Sequence, residues 1–200
     1  WKQPSEDPAS PISAYWCSVN WGKKHLLLDL NDDANRAQAI KIAVSADVVI
    51  SNFKPSSACR MGFDSDSLRA ENQRLIYAQL NSYADPEDES PAFDAVLQAE
   101  AGFLYMNGEA DRPPVKLPVA LIDILAAHQL KEAILLALLH RERTGEGSVV
   151  TASLLESALA SLANQASNYL MNGHIPQRMG TKHPNIAPYG DTYLCADGQT

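Results

Sequence analysis

Cysteine is scarce in this chain of 200 residues. Cys17, Cys59 and Cys195 lie far apart, with no C-x-x-C pair and no histidine cluster beside them. That excludes a disulfide framework and a structural zinc site of ordinary spacing. The five histidines, His25, His128, His140, His174 and His183, are scattered, and none pairs at metal-ligand spacing. Phosphate, dinucleotide, serine-hydrolase and zinc-protease signatures are missing too: there is no P-loop, no G-x-G-x-x-G, no G-x-S-x-G and no H-E-x-x-H. Basic residues are outnumbered, 16 Lys and Arg against 24 Asp and Glu, for a formal net charge of −8. A balance of that sign argues against general binding to nucleic acid or to anionic membranes, which begins with a basic surface. Neither a membrane-length apolar run nor an N-x-S/T acceptor occurs. With so few cysteines, a reducing compartment is expected, cytoplasmic in the first instance. Mitochondrial and peroxisomal placement stay open, because the chain opens at Trp1 without an initiator Met.

What is present is a globular composition, 46% apolar and 20% charged. A chain of this length buries about 70% of its unfolded surface and needs no staple. Three prolines (Pro4, Pro8, Pro11) mark an irregular lead-in. Leu26–Leu30, Asp47–Ser51 and Arg74–Leu80 read as buried strands, with helices after Asn31-Asp32-Asp33 and near Ser65–Glu71 between them. Strand alternating with helix predicts parallel α/β winding. An acidic loop or lid is expected over Tyr83–Pro91, a helix from about Pro91 to Ala101, and a proline-rich loop over Gly108–Pro118. Val119–Arg143 is apolar around nearly every helix face, which predicts burial on several sides. His140, Arg141 and Arg143 suit that helix's negative pole, and the Gly145-Glu146-Gly147 stretch reads as a helix stop. Ser148–Thr151 is a further strand. Ser153–Met171 reads as one Ala/Leu-rich helix with Ser153 and Glu156 in capping-box spacing. Asp191–Cys195 reads as a last strand entering a tight turn.

Asp123 stands out, alone in the apolar stretch Val119–Ala127. Two readings are open for it. With Pro118 just upstream it suits a helix cap or first-turn acid; equally, a carboxylate desolvated by apolar neighbours suits a covalent nucleophile. Asn52 and Phe53 directly follow a strand, where α/β folds place ligand contacts. An amide beside an aromatic suits adenine or ribose, and the same residues also suit an Asx turn. Arg60 suits a phosphate, or simply solvent.

Seven stretches in order resemble the family III CoA-transferases, also called the CaiB/BaiF family. They are Asn20–Lys24 with Leu28-Asp29-Leu30; Ala46–Pro55; Arg60-Met61-Gly62; Asn72–Tyr77; Phe93-Asp94 with Gln98-Ala99; Arg141–Gly147; and His183–Tyr189. The resemblance implies an α/β fold of Rossmann-like parallel strands plus long buried helices, assembled as an interlocked homodimer. Residues 1–200 would be a partial large domain with linker helices, 19–82 its Rossmann-like portion and 91–172 a helical portion carrying the nucleophile. The family's first strand-and-helix unit would precede Trp1, and a further part would follow Thr200.

It also implies a reaction. CoA moves from an acyl-CoA to a carboxylic acid through an aspartyl mixed anhydride and an aspartyl-CoA thioester, with Asp123 as the aspartate. Asn52, Phe53 and Arg60 fall on CoA-contacting positions, and Gln98 lies near the site. No metal and no resident cofactor is implied; coenzyme A is a substrate. Racemases of 2-methylacyl-CoA in the family use a His-Asp pair, and here Phe93 stands in the histidine's place, which favours transfer. Racemisation remains the rival chemistry, and a catalytically silent CoA-binding or dimerising fragment the rival class.

Overall fold

The computed structural model describes residues 2–85, 88 and 90–199. Within the acidic segment 83–91, Tyr83–Asp85, Asp88, Ser90 and Pro91 are irregular, as expected, and Pro86, Glu87 and Glu89 lie outside the described residues. The chain divides into two compact units, residues 1–39 and 40–200.

In the first unit, α1 (Ala14–Asn20) starts where the Ser13 hydroxyl accepts the Trp16 N–H at 3.0 Å. The helix α2 (Asp33–Ser45) begins here as well. Asp32 caps it by accepting the Asn35 N–H at 2.8 Å. The strand expected at Leu26–Leu30 does not form, and Leu27 is 100% exposed. Apolar composition marks a segment for burial, but an extended segment becomes a strand only when a neighbour accepts its ladder. No described residue pairs with this one.

The second unit carries a parallel sheet. From β1 (Val48–Ser51) the chain crosses through α3 (Pro55–Met61) and α4 (Ser65–Glu71) to β2 (Ile76–Asn81). It then passes through α5 (Asp94–Glu100), α6 (Phe103–Met106) and α7 (Leu121–Thr144) to β3 (Val149–Ser153), and on to α8 (Leu154–Ala160) and α9 (Asn164–Asn172). The order is β1-β2-β3, with Val48 opposite Ile76 and Tyr77 opposite Val149. All three strands lie where the apolar runs predicted them. The strand expected at Asp191–Cys195 is irregular and exposed, again without a partner among the described residues. An element that pattern reading passed over is α3, although Pro55 at its first position and left-handed Gly62 after its end are regular helix boundaries.

Two apolar clusters form the core. Ala43, Leu68, Leu75 and Tyr77 pack with Ile40, Val44, Val49 and Phe63. Leu97, Ala101, Ile122 and Ala158 join α5, α7 and α8. The long helix α7 is buried along one stripe, Ile122, Ala126, Leu130, Ala137 and Arg141, instead of on several sides. Leu121, Leu125, Ala133, Ile134 and Leu138 flank the stripe half-buried, and Ile124, Leu135, Leu136 and Leu139 are exposed. Arg141 does more than meet the helix dipole. Its guanidinium reaches the Asp47 carboxylate at 3.0 Å and the backbone oxygens of Asp47 and Arg74 at 3.3 and 3.4 Å. It thereby ties the end of α7 to the chain entering β1 and β2.

The expected single helix over Ser153–Met171 is two helices, broken at 161–163 where Ala163 takes φ 49°. Its start is as expected. Ser153 accepts the Glu156 N–H at 3.1 Å and donates to the Glu156 carboxylate at 3.0 Å. Ser153→Ala is expected to cost about 1 kcal/mol. In a chain of this size that is a fall of ~2–4 °C in a thermal melt; an unchanged melt would show that the cap contributes nothing.

Candidate functional site

Parallel strands end together, so the loops that follow them gather at one edge of the sheet. Beyond β1, the Ser51 hydroxyl accepts the Phe53 N–H at 3.2 Å, and the Gln79 amide on β2 donates to the Phe53 carbonyl at 3.1 Å. The ring of Phe53 meets Phe63 edge-on, centroids 6.2 Å apart. Beyond β2 and β3, the Leu155 N–H donates to the Ser82 carbonyl at 3.1 Å. Between these strand ends lies a cleft of about 260 Å³, lined by Asn52, Phe53, Lys54 and Pro55, by Leu80–Ser82, by Ala92 and Phe93, and by Leu154 among others. Phe93 is 71% exposed there. Two aromatics, Phe53 and Phe93, and two amides, Asn52 and Asn81, in one lining suit a flat, partly polar ligand.

Immediately after Phe93 the chain enters α5, and two of its side chains govern the start of α7. The residue preceding α7, Ala120, has no side chain with which to cap it. Asp94 supplies the cap from across the fold, accepting the Ile122 N–H at 2.8 Å with one oxygen and the Gln98 amide at 2.6 Å with the other. Gln98 is 0% exposed. It donates also to the Val119 carbonyl at 3.3 Å and accepts the Leu117 N–H at 2.9 Å.

Asp123 is therefore not the cap of α7, and the first-turn acid of that same reading is what the structure shows. Asp123 stands in the first turn of α7 and its carboxylate accepts no hydrogen bond among the described residues. The residue is open to solvent. Even so, partial desolvation, and after it the Asp94 carboxylate, holds its carboxyl above the usual aspartate range.

The structure brings Asn52, Phe53 and Phe93 to one cleft, and Asp94 and Gln98 to the start of α7. Phe93 and Asp94, adjacent in sequence, join the two. Arg60 is exposed in the last turn of α3, its side chain without a partner among the described residues; like Asp123 and Gln98, it does not line the cleft. Sequence reading singled out Gln98 as near the site but gave Asp94 no task. The signal was there: an acid and an amide four residues apart share one helix face. A larger hollow of about 580 Å³, between α6 and the α8–α9 segment, is lined by apolar groups such as Met106, Leu159 and Leu170 and offers no ionised group for chemistry. Among the described residues no group of three or more His, Cys, Asp or Glu is placed to hold a metal, and no helix is long and apolar enough to cross a membrane.

Comparison with known proteins adds independent findings. The family described as CoA-transferase family III matches residues 2–200. A succinate–glutarate CoA-transferase of Agrobacterium fabrum is 37% identical over 97% of this chain and 49% of its own length. A succinyl-CoA:mesaconate CoA-transferase of Haloarcula hispanica is 34% identical over 97% of this chain and 50% of its own. A crystal structure of a CaiB/BaiF family protein from Brucella suis superposes with a TM-score of 0.80 at 38% identity, covering 88% of this chain and 47% of that one. The chain spans about half the length of these relatives.

Proposed function

The chain belongs to CoA-transferase family III, and we propose that it carries the nucleophile, Asp123, of an enzyme that moves CoA from an acyl-CoA to a carboxylic acid. The observation that carries this reading is the division of labour at the start of α7. Asp94 caps the helix, and Asp123 is left exposed, its carboxylate without a hydrogen bond among the described residues.

The chemistry needs no electron transfer and no resident cofactor. An Asp123 carboxylate oxygen attacks the thioester carbonyl, the C–S bond breaks, and the electron pair leaves on sulfur as CoA thiolate. The thiolate then attacks the Asp123 carbonyl carbon of the mixed anhydride and expels the donor acid, leaving an aspartyl-CoA thioester. An acceptor carboxylate attacks that thioester and collects CoA by the reverse steps. Asn52 and Phe53 in the strand-end cleft are the proposed CoA contacts, with Arg60 as a phosphate partner. Phe93 cannot carry a proton, which favours transfer over racemisation. The exposed apolar residues Leu135, Leu136 and Leu139 on α7, and Leu170 and Met171 on α9, suit coverage by a second copy, so a homodimer is the proposed assembly.

Covalent trapping tests the reading. The protein is incubated with succinyl-, glutaryl-, acetyl- and a long-chain acyl-CoA, reduced with borohydride, digested and mapped by mass spectrometry. The two dicarboxylic thioesters are included because relatives' names carry such acids. Homoserine at position 123 is the expected result. No conversion with any thioester would leave a silent CoA-binding or dimerising chain and overturn the assignment.

A further inference from the structure

Resting on the reading of Asp123 as nucleophile, we propose that Asp94 and Gln98 are positioning residues which clamp the chain entering α7, and that the Asp94 charge favours the acylated over the free form of Asp123. Between them the two side chains bind the Leu117 N–H, the Val119 carbonyl and the Ile122 N–H. The segment they hold follows Pro113 and Pro114 and contains Pro118. Prolines donate no backbone hydrogen bond, so such a segment depends on side chains to fix its path.

The Gln98 amide has one workable orientation. Turned over, its NH₂ would face the Leu117 N–H while its oxygen faced a carbonyl and a carboxylate, setting like against like at all three contacts. Full burial makes each of those bonds costly to lose, since water cannot replace it. Position 123 therefore inherits its direction from position 98.

The electrostatic part follows from the reaction itself. Acylation turns the Asp123 carboxylate into a neutral anhydride, so its repulsion with Asp94 vanishes on the product side. Burial and Asp94 together hold the Asp123 carboxyl up. Other charges on the elements packed against α7 are occupied elsewhere. On α5, Glu100 accepts from the Tyr83 hydroxyl, and on α8, Glu156 accepts from Ser153. The strands β2 and β3 bring one titratable group, Tyr77, whose hydroxyl donates to the Phe63 carbonyl. On α7 itself, His128 faces Lys131.

The test compares the wild type with Asp94→Asn and Gln98→Leu. Two readouts are taken per folded molecule: the titration of the Asp123 carboxyl by ¹³C NMR, assigned with Asp123→Asn, and the rate and extent of borohydride-trapped acylation across the acid and neutral range. Asn at 94 carries no charge and still accepts the Ile122 N–H with its oxygen, while its NH₂ gives up the bond to the Gln98 amide, so the titration of Asp123 is the readout of charge and Gln98→Leu the control for the lost bond. It is expected to lower the pH at which Asp123 titrates, to move the acid limb of acylation the same way, and to reduce the trapped fraction severalfold. Gln98→Leu is expected to slow acylation by about 10–100-fold, the cost of misplacing a reacting group by an ångström or less, without that electrostatic shift. A purely structural pair would lower the yield of folded protein and move neither readout. Unchanged titration and unchanged rates in folded variants would overturn the proposal. If Gln98→Leu does not fold, Asp94→Asn at its half-buried site decides. If the wild type itself is not acylated, the functional reading fails, and the titration still decides whether Asp94 acts on Asp123.

Discussion

Asp123→Asn is expected to lose acylation by a factor on the order of 10⁴ or more, since removing a covalent nucleophile costs that much where one carries the reaction. An amide oxygen is a poor nucleophile and forms no anhydride, so the aspartyl-CoA stage has no counterpart. The same substitution is expected to make the folded chain more stable above the ordinary carboxylate range. Burial and Asp94 raise the Asp123 carboxyl pKa in the folded chain. The folded form thus binds more protons than the unfolded one between the unfolded value of ~3.9 and the raised value. Wild-type stability falls as pH rises through that interval and stays lower above it. Asparagine exchanges no proton there, so the variant gains on the wild type at neutral pH and loses that advantage below ~3.9. Denaturant melts of both proteins at neutral pH and at pH ~3 check the sign. Equal differences at the two pH values would show that Asp94 and burial exert no strain on the carboxylate.

The second large effect concerns a glycine remote from that carboxylate. Gly147→Ala is expected to destabilise the chain by ~3 kcal/mol, the upper end of overpacking costs. That corresponds to a fall of about 6–12 °C in melting temperature for a chain of this size. A β-carbon at 147 would lie 2.2 Å from the Leu75 carbonyl oxygen and 2.5 Å from the Arg74 carbonyl carbon. Both are backbone atoms, and neither can swing away. Gly147 is held where it is by its own N–H on the Gln73 carbonyl at 2.8 Å and by Arg69 on its carbonyl at 3.1 Å. One residue later, the Ser148 carbonyl accepts the Tyr77 N–H at 2.9 Å, opening the β2–β3 pairing. Relieving the collision means parting β3 from β2 at the point where their ladder begins. Differential scanning calorimetry of the variant reads the loss, and a melt within 1–2 °C of the wild type would contradict the close approach. The contrast with Gly145 is informative. A β-carbon there would meet only an Arg74 side-chain nitrogen at 3.7 Å, and its φ of 83° makes it the helix stop that the sequence reading assigned to the whole stretch.

Local chemistry was legible wherever a residue acts on its own neighbours. The three apolar runs that became β1, β2 and β3, the Ser153 cap, the Gly145 stop and the isolation of Asp123 all follow from short-range pattern. These features depend on backbone sterics and on residues within one turn or one strand. Pairing did not follow. Leu26–Leu30 has the composition of a strand and stays irregular, because a ladder needs a second chain segment that composition does not supply. Apolar residues all round α7 predicted enclosure, whereas the described chain covers one stripe.

The site divides along the same line. By itself the sequence determined that a carboxylate would stand near the start of a long helix, with an amide and an aromatic after the first strand of the sheet. Tertiary structure alone decided that Asp94, 28 residues from Ile122, caps that helix. It alone turned Gln98 into the buried tie that aims the segment, and set Gly147 against the backbone of Leu75. Each is a contact between residues distant in the chain, fixed by which surfaces the packed sheet and helices leave within about 3 Å of one another, where hydrogen bonds form and atoms collide.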